Sequence, residues 1–465
     1  MILEQHFLSC LAHASYLIAD EGSGTAAIVD PQRDVDVYVE SAARRGLAIR
    51  HVILTHFHAD FVSGHLELAR RTGATIYLGA RAKAEYRFQP LADGDEIHLG
   101  GVVLRALETP GHTPESISVL VFDLASDAKN PKAVLTGDTL FLGDVGRPDL
   151  MASQGITAPA LAGMLYDSLH QKLLPLPDAT IVYPAHGAGS ACGKKISNER
   201  CGTLGEQKKL NWALQPMTKA KFVEIATADL PPAPAYFPHA AAANKRARAV
   251  LDDVLAGELV ALAPETVLTA RDAGAIVLDV REPDDFARGH VAGSINVGLS
   301  GKFAHWCGTL LDRSKPLVLV APAGKEREAA LRLARVGLEQ VKGYARGGYD
   351  ALAAARPDLV CRFRRHTCEE LAAQLSGADA PLVLDVRLPG ERASKRIAKS
   401  AFVPLDELEA RAREIPKDRR VVIHCAGGYR SAIAASLLMR AGHERVEDLI
   451  GGIGAWETAR QPVET

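Results

Sequence analysis

The stretch THFHADFVSGH at residues 55–65 constrains the fold of this 465-residue chain more than any other. The run HVILTH that leads into it is apolar and β-branched, which is typical of a buried strand. The periodic HLELARRTG after it predicts a helix that ends at Gly73. His56, His58 and Asp60 therefore leave a strand end on one short turn, and this mixture of imidazole and carboxylate suits a first-row transition metal. The alternative is three polar residues on a surface loop.

The composition excludes several classes of protein. With 54 basic and 56 acidic side chains the net charge is −2, so a nucleic-acid partner is not expected. No apolar run reaches the roughly 18 residues of a membrane-spanning helix, and the first residues lack the basic start of a secretory signal. We therefore expect neither membrane insertion nor secretion. Seven cysteines without a C-x-x-C pair predict reduced thiols in the cytoplasm.

Residues 1 to about 225 alternate short apolar strands with helical stretches. The predicted strands are SYLIAD, TAAIVD, HVILTH, TIYLG, GVVLRAL, SISVLVFD, AVLTGD and TIVYPAH, and the predicted helices lie around 35–45, 62–72 and 158–173. Asp138 and His186 come at the ends of two of these strands, and His112 lies in the turn TPGHTPES. Four such loops that converge on one point describe an open layered α/β domain with a metal at its edge.

Four motifs carry a family resemblance: THFHAD, TPGHTPES, TGDTLFLGDVGRPDL (136–150) and YPAHG (183–187). Together they resemble the metallo-β-lactamase fold, and within it the branch of glyoxalase II and the persulfide dioxygenases. The set is specific, although no single motif would suffice. The resemblance covers the N-terminal domain, placed at 1–228, and implies an αββα sandwich there.

One position departs from the family pattern. Two-metal members place histidine directly after the aspartate of H-x-H-x-D, whereas this chain has Phe61 there. Phenylalanine cannot coordinate a metal, so a mononuclear centre is favoured. The resemblance to persulfide dioxygenases implies one Fe(II) per chain, held by His56, His112 and Asp138 with positions left open for O₂. The residues then expected to orient ligands and waters are His58, Asp60 and His186.

Two features near the metal motifs each have two interpretations. Arg147, in GDVGRPD, is predicted to clamp an anionic substrate, and the alternative is an ion pair that braces the loop. Cys192 and Cys201 lie in the polar, glycine-rich stretch after YPAHG, where inert structural thiols are one interpretation. The other is that Cys201 carries a persulfide near the iron, because its basic neighbours would favour a thiolate.

The rest of the chain is a proline-rich segment followed by a repeat. DLPPAPAYFPH at 229–239 holds four prolines, which exclude a helix interior, so 229–256 is predicted to be a stiff linker with a connecting helix. AIVLDVREPDDF then matches PLVLDVRLPGER, and GGYDAL matches GGIGAW. Two copies of roughly 100 residues are therefore predicted, at 257–360 and 361–465, each a small doubly wound α/β unit. Both resemble rhodanese (sulfurtransferase) domains.

Only the second copy has a nucleophile in its loop. HCAGGYRSA places Cys425 at the end of a strand, and Arg430 follows in a glycine-rich turn that opens a helix. Backbone N–H groups of such a turn stabilise a thiolate, so Cys425 and Arg430 are the predicted catalytic residues. The first copy reads VAPAGKEREA at this place and is predicted to be silent. Its Cys307 lies well before the loop and is predicted to be a packing residue.

The resemblance implies an enzyme that oxidises low-molecular-weight thiol persulfides with O₂ to sulfite. Cys425 would then carry sulfane sulfur between sulfite or thiosulfate and persulfide. The expected partners are these small molecules, and a homo-oligomer is expected. Two alternatives stay open: a glyoxalase II-type thioester hydrolase that uses a metal-bound hydroxide, and a sulfane-sulfur carrier or sensor without turnover. The sequence reveals neither the thiol nor the direction of sulfur transfer.

Overall fold

The computed structural model describes residues 1–151, 155–255 and 259–465. The chain forms two compact units, Met1–Ala256 with Ala334–Gly337, and Gly257–Leu333 with Leu338–Thr465. Within the described residues no helix is long and apolar enough to cross a membrane.

The first unit contains two six-stranded sheets. The first sheet has its strands in chain order: β1 (Ile2–Leu8), β2 (His13–Asp20), β3 (Thr25–Val29), β4 (Ala48–Ile53), β5 (Thr75–Gly79) and β6 (Gln89–Leu91). The second has the order β12-β11-β10-β9-β8-β7, with β7 (Glu96–His98), β8 (Val102–Glu108), β9 (Ile117–Asp123), β10 (Ala133–Gly137), β11 (Ile181–Pro184) and β12 (Gly202–Thr203). The sequence analysis does not predict β1, β6, β7 or β12. These four are edge strands, so none carries the unbroken apolar run of a strand with two neighbours.

Helices cover the outer faces of both sheets. The first sheet packs against α1 (Asp36–Arg44) and α2 (His65–Thr72), and the second packs against α3 (Ala158–Asp167), α4 (Leu204–Leu210) and α5 (Lys219–Thr227). A π-helical turn, Ser168–Leu173, continues α3. Two further helices are α6 (Phe237–Lys245) and α7 (Leu251–Val254).

The strands of this sandwich are apolar on both sides because both sides are covered. In β2, Tyr16 and Ile18 join the core between the sheets, whereas Leu17 packs toward the outer helices. In β9, Val119 belongs to the inner core and Leu120 to the outer one. This alternation produces four layers, and it is the αββα sandwich that the sequence predicts.

The second unit contains two copies of one α/β arrangement. The first copy consists of β13 (Ala261–Leu262), α8 (Pro264–Asp272), β14 (Ile276–Asp279), α9 (Pro283–Arg288), β15 (His290–Val291), β16 (Ile295–Asn296), α10 (Phe303–Leu310), β17 (Leu317–Val320), α11 (Glu326–Ala334), β18 (Val341–Ala345), α12 (Gly348–Ala355) and β19 (Val360–Cys361). The second consists of β20 (Arg365–His366), α13 (Cys368–Leu375), β21 (Leu382–Asp385), α14 (Pro389–Ser394), β22 (Arg396–Ile397), β23 (Ala401–Phe402), α15 (Leu408–Arg411), β24 (Val421–His424), α16 (Tyr429–Arg440), β25 (Val446–Leu449), α17 (Gly452–Thr458) and β26 (Val463–Glu464).

The two copies share one topology. Their five-stranded parallel sheets have the orders β13-β18-β17-β14-β16 and β20-β25-β24-β21-β23, and each copy adds a short antiparallel pair. The matched segments of the sequence repeat occupy matched places, since β14 pairs with β17 as β21 pairs with β24. The predicted repeat of a small α/β unit is therefore confirmed.

The segment after residue 228 differs from the predicted linker. Helix α6 begins at Phe237 and has Pro238 at its second position. Proline is tolerated there because the N–H groups of the first helical turn have no hydrogen-bond acceptor within the helix. The connecting helix predicted after it is broken, because the chain is extended at Arg246 and α7 begins only at Leu251. In the gap, Arg248 pairs with the buried Glu67 of α2 at 2.6 Å. Residue 256, the last of the predicted segment, lies outside the described residues.

Asn244 of α6 explains why this segment belongs to the first unit. Its Nδ2 donates to the carbonyl oxygens of His58 and Phe61, both at 2.8 Å. Its Oδ1 accepts from the N–H of Ser63 at 2.9 Å and from the hydroxyl of the same residue at 3.0 Å. The side chain is fully buried, and it holds the turn that contains the H-x-H-x-D motif.

Asn244→Ala should therefore destabilise the first unit. The substitution leaves two carbonyls and one N–H without their partner in a buried place, so we expect a loss of about 3 kcal/mol and a fall in Tm of roughly 6–12 °C. Thermal unfolding followed by circular dichroism measures this. The control is Asn130→Ala, an exposed asparagine that bonds only to Asp127, which should change stability by less than about 0.5 kcal/mol. Equal effects of the two substitutions would contradict the role given to Asn244.

Candidate functional site

Three loops of the first unit bring together the side chains of His56, His112 and Asp138. His56 follows β4, His112 lies between β8 and β9, and Asp138 directly follows β10. Nε2 of His112 lies 3.5 Å from Oδ2 of Asp138, and Nε2 of His56 lies 3.8 Å from the same oxygen. Each residue is at most 2% exposed. The three side chains therefore form one buried cluster of potential ligands.

The second nitrogen of each imidazole is held by the surrounding chain. Nδ1 of His56 lies 2.9 Å from Oγ1 of Thr55, whose hydroxyl donates to Asp30 at 2.8 Å. Nδ1 of His112 lies 2.9 Å from the carbonyl oxygen of Arg147. Both rings thus direct Nε2 toward the shared carboxylate. Contacts of this kind fix the tautomer and the direction of a metal-binding histidine.

The cluster fits a divalent metal ion. In the described part of the chain, Nε2 of His56 and Oδ2 of Asp138 have no hydrogen-bond partner, which is costly for buried polar atoms unless a ligand takes them. Burial lowers the pKa of His56 and of His112, so both rings are neutral near pH 7 and offer a lone pair. Two imidazoles and one carboxylate form a donor set suited to non-haem iron.

His58, Asp60 and His186 form a second buried group beside the first. His186 bridges two carboxylates, with Nδ1 2.7 Å from Oδ1 of Asp138 and Nε2 2.8 Å from Oδ2 of Asp60. Burial alone would lower the pKa of His186, but the two carboxylates raise it well above 6.5. Burial likewise opposes the charge of Asp60, yet His186 lowers the pKa of that carboxyl to about 2. An imidazolium between two carboxylates thus positions Asp138.

His13 belongs to this centre, although the sequence analysis missed it. The side chain is fully buried, and its ring centroid lies 4.1 Å from that of Phe61 and 5.6 Å from those of His58 and His186. Phe61 also packs on His58, with the two ring centroids 4.5 Å apart. It therefore places an aromatic ring, and no metal donor, at the position directly after Asp60. His13 is the first residue of β2 and has no metal motif around it. His13 reaches the centre because its backbone pairs with that of His186 in an isolated β-bridge. No motif in the sequence indicates this pairing.

Arg147 braces the loop after Asp138. Its guanidinium donates to both carboxylate oxygens of Asp149 at 2.7 Å, and to the carbonyl oxygens of Ala191 and Pro231. The residue is 3% exposed, and its own carbonyl oxygen orients His112. These contacts are those of the bracing interpretation, and a clamp on a substrate anion stays a prediction.

The two cysteines after His186 lie in different surroundings. Cys192 is 1% exposed, and its sulfur forms a group with ligand atoms of Asp138 and His186 that all lie within 4.8 Å of one another. Burial, together with nearby carboxylates, raises the pKa of the Cys192 thiol well above 9.0. Cys201 is exposed and interacts with Tyr183, and it belongs to none of the candidate ligand groups among the described residues. Cys192 is therefore the thiol beside the centre, and the carrier role of Cys201 stays a prediction.

In the second unit, Cys425 directly follows β24. Its Sγ accepts a hydrogen bond from the N–H of Gly428 at 3.1 Å, and Gly428 has a φ of 88° that favours glycine. The sulfur lies 3.9 Å from Oγ of Ser431, whose hydroxyl donates to Asp448 at 3.1 Å. The residue is 1% exposed. The sulfur therefore faces a backbone donor and the N-terminus of α16, both of which stabilise a thiolate.

The GGIGAW segment at 451–456 packs against the backbone of the Cys425 loop. A Cβ at Gly452 would overlap the carbonyl group of Cys425. The N–H of Ile453 donates to that carbonyl oxygen at 2.8 Å, and the N–H of Gly454 donates to the carbonyl oxygen of Ala426 at 3.0 Å. The segment therefore fixes the backbone of the nucleophile loop.

Arg430 is a fixed cation beside the sulfur. It donates to both carboxylate oxygens of Glu391 at 2.7 Å. Partial burial opposes its charge, but Glu391 raises the pKa of Arg430, and the thiol of Cys425 interacts with it as well. Lys302, from the first copy, interacts with both Arg430 and Glu391. Cationic side chains of both copies, Lys302 of the first and Arg430 of the second, therefore lie near the nucleophile loop.

The first copy lacks the nucleophile and yet contacts the loop of the second. Its own loop keeps a glycine of similar conformation, Gly324 with a φ of 80°, but has Ala321 where the second copy has cysteine. The hydroxyl of Tyr429 donates to the carbonyl oxygen of Gly298 at 2.7 Å, and the ring of Tyr429 packs so closely on Gly301 that no Cβ would fit there. The first copy therefore supports the active loop. Its buried Cys307 is placed for packing.

Arg365 makes a second link between the copies. It pairs with Asp448 of the second copy at 2.8 Å and with Asp284 of the first. Asp448 in turn accepts from Ser431. Because Ser431 faces the sulfur, the ion pair extends from the first copy to the edge of the nucleophile loop.

Fold and site together define an αββα domain with a buried candidate metal centre, followed by two small α/β domains of which the second has a cysteine in its loop. Residues 8–186 match the metallo-beta-lactamase superfamily, and residues 263–355 and 367–459 match the rhodanese-like domain. A solved metallo-beta-lactamase from Staphylococcus aureus is 30% identical and superposes with a TM-score of 0.66, covering 74% of this chain and 98% of that one. The chain belongs to the metallo-beta-lactamase superfamily and carries two rhodanese-like domains.

Relatives of two activities resemble the chain. The mitochondrial persulfide dioxygenase ETHE1 of Bos taurus is 29% identical over 208 residues, which are 43% of this chain and 74% of that protein. A hydroxyacylglutathione hydrolase of Methylococcus capsulatus is 36% identical over 173 residues, which are 37% of this chain and 60% of that protein. These similarities place the chain among metal-dependent enzymes.

Arg147→Ala should weaken metal binding by about 10–100-fold, because the loop that orients His112 loses its brace. Equilibrium dialysis with Fe(II) under anaerobic conditions measures the affinity. Arg81→Ala is the control, since Arg81 makes only an exposed ion pair with Glu108, and its metal affinity should not change. If Arg147→Ala instead kept its metal affinity and raised only the KM for an anionic substrate, the clamp interpretation would be right.

Proposed function

We propose that the N-terminal domain is a mononuclear iron dioxygenase for low-molecular-weight thiol persulfides, and that the last domain is a sulfurtransferase acting on the same sulfur pool. The observation that carries the proposal is the presence, in one chain, of a two-histidine, one-carboxylate centre and a cysteine in a rhodanese-type loop. The similarity to persulfide dioxygenase ETHE1 supports it. A purely hydrolytic centre would give no role to Cys425.

The proposed oxidation converts one persulfide, one O₂ and one water into one thiol, one sulfite dianion and two protons. An Fe(II) ion held by His56, His112 and Asp138 would supply the redox chemistry that O₂ requires and that zinc lacks. The chain fixes the direction of these ligands through the carbonyl of Arg147 and through His186. Because the ligand side chains are buried, the chain also keeps bulk water away from them.

The proposed sulfur transfer needs only the loop of the second copy. The Cys425 thiolate attacks the outer sulfur of thiosulfate, the S–S bond breaks, and its electron pair leaves on sulfite. Cys425 is then a persulfide, and attack by sulfite on its outer sulfur reverses the step. The N–H of Gly428 stabilises the thiolate, and the guanidinium of Arg430 attracts the dianionic substrate.

A glyoxalase II-type thioester hydrolase is the second candidate. It is favoured by the similarity to a hydroxyacylglutathione hydrolase and by the donors of His58, Asp60 and His186, which lie close enough together to hold an ion. Thioester hydrolysis consumes no O₂, so an oxygen electrode separates the two activities. A carrier or sensor without turnover, the third interpretation, would consume neither O₂ nor thioester.

The free cysteine thiols bear on the cellular compartment of the proposed enzyme. All seven cysteines are free, which supports a reducing compartment such as the cytoplasm.

O₂ uptake with the persulfides of glutathione, coenzyme A and other thiols tests which thiol carries the substrate sulfur. Cys201, being exposed, stays a candidate for a transient persulfide.

The first test of the proposal is metal identity. Iron-loaded protein should hold about one catalytic iron per chain and consume O₂ with a persulfide, whereas zinc-loaded protein should not. His56→Ala, His112→Ala and Asp138→Ala should each lower O₂ uptake by at least about 100-fold, because each removes a ligand. His98→Ala is the control, since this histidine is largely exposed. Full activity with zinc alone would overturn the dioxygenase assignment.

Cys425→Ser tests the division of labour. A hydroxyl is essentially never ionised near pH 7, so transfer between thiosulfate and a thiol should fall by at least about 100-fold. O₂ uptake should continue, and the product should shift from thiosulfate to free sulfite, as anion chromatography measures. Cys361→Ser is the matched control and should keep both activities. If Cys425→Ser abolished O₂ uptake while iron stayed bound, Cys425 would have to present the substrate to the metal.

A further inference from the structure

The cation at the nucleophile loop is matched by an anion. The two terminal nitrogens of Arg430 donate to the carboxylate of Glu391, both at 2.7 Å, and the N–H of Leu388 donates to it at 2.9 Å. Burial opposes the charge of Glu391, but Arg430 holds the pKa of that carboxyl below its usual value. Arg430 and Glu391 together therefore contribute no net charge beside the sulfur of Cys425.

This balance matters for the proposed transfer, because its substrate is a dianion. Thiosulfate carries two negative charges, and the attacking thiolate carries a third. Like charges at close range repel strongly where protein atoms displace water, and the backbone N–H groups of the loop offset part of this repulsion. A further cation near the loop would draw the dianion in.

Lys302 of the first copy is the third charged group at this place. The residue is exposed, and it interacts electrostatically with Arg430 and with Glu391. Crowding by protein atoms and the charge of Arg430 lower the pKa of Lys302, as expected of an ammonium group held near another cation. Two cations and one anion leave a net positive charge beside the loop.

The backbone fixes Lys302 beside the loop of the second copy. Gly301, its neighbour, lies so close to the ring of Tyr429 that an added Cβ would come within 2.4 Å of it. Arg332 donates to the carbonyl oxygen of Gly301 at 3.2 Å, which holds this segment from the first copy's side. Because Tyr429 directly precedes Arg430 in the first turn of α16, the contact keeps Lys302 at that turn.

We propose that Lys302 is a specificity-determining residue of the Cys425 site, and that it makes this site selective for dianionic sulfane-sulfur donors of the thiosulfate class. The nucleophile then belongs to the second copy, whereas the charge that selects its substrate comes from the first. The inference rests on the proposed sulfurtransferase function and adds the residue that sets the choice of donor.

The charge balance of the transfer determines which kinetic constant Lys302 should affect. The S–S bond of thiosulfate breaks, a new S–S bond forms at Cys425, and the electron pair of the broken bond leaves with sulfite. Three negative charges are present before the step, and the same three are present after it, on sulfite and on the new persulfide. A nearby cation therefore stabilises bound thiosulfate and the transition state about equally, so it lowers KM with little effect on kcat.

The first test compares sulfur transfer to a thiol from two donors that differ by one charge, thiosulfate and the monoanion methanethiosulfonate. Lys302→Met removes the charge and keeps most of the length of the side chain. We expect the KM for thiosulfate to rise about 10-fold, the KM for methanethiosulfonate to rise about 3-fold, and kcat to stay within about two-fold. Lys302→Arg should keep the wild-type values. The matched control is Lys325→Met, since Lys325 is an exposed lysine of the same copy that pairs with Glu328. An equal rise for both donors, or a fall in kcat alone, would contradict the proposal.

The second test needs no turnover, and it therefore separates failure of this inference from failure of the proposed transfer. Cys425 is alkylated with iodoacetate, an anion, and with the neutral iodoacetamide, and mass spectrometry measures both rates on the peptide that contains Cys425. Lys302→Met should lower the iodoacetate rate about 3-fold relative to the iodoacetamide rate, and Lys325→Met should leave the ratio unchanged. A ratio that is unchanged in Lys302→Met would overturn the inference even if wild-type protein transfers sulfur. If wild-type protein transferred no sulfur but the ratio changed, the transferase function would fail and the charge selection at Cys425 would stand.

Discussion

The chain of buried ion pairs Asp60–His186–Asp138 is the interaction on which the metal centre depends. Two carboxylates removed from water would cost several kcal/mol each without a partner, and the imidazolium lies between them, with Nδ1 hydrogen-bonded to Asp138 and Nε2 2.8 Å from Oδ2 of Asp60. The pairing also sets direction. Because Oδ1 of Asp138 is occupied by His186, Oδ2 is the oxygen that faces His56 and His112. One buried ion pair thus decides which atom is offered to a metal.

The clustering of the candidate ligands could be predicted from the sequence because local chemistry determines their positions, whereas their role in holding a metal was implied by the family resemblance and stays a prediction. An apolar strand followed at once by a polar residue places His56 and Asp138 at strand ends, and the motif around His112 marks a turn. The second copy's loop could also be predicted, since glycines and one cysteine at fixed spacing define it without reference to distant residues.

The remaining features could not be predicted, because their partners come from distant parts of the chain. The donors of Arg147 are satisfied by the carbonyls of Ala191 and Pro231, and a backbone acceptor leaves no mark in the sequence. For the same reason the sequence could not show which acceptors hold the guanidinium of Arg147. His13 reaches the centre only through strand pairing, and Asn244 reaches it from a segment whose prolines indicated a linker. Proline composition describes a segment's local stiffness and says nothing of the surface on which it packs.

The contacts of the cysteine-free copy with Tyr429 and Arg365 have a consequence for how such a chain can change over evolutionary time. Since Ala321 offers no nucleophile, substitutions in the first copy's own loop would cost no sulfur chemistry there. The backbone around Gly298 and Gly301 is constrained, because it contacts Tyr429 at the start of the helix that follows the other copy's nucleophile loop. Substitutions should therefore accumulate unevenly within one domain, freely at its vacant loop and sparsely along the face that supports its neighbour. A copy without its own nucleophile can serve in this way as scaffold for the copy that has one.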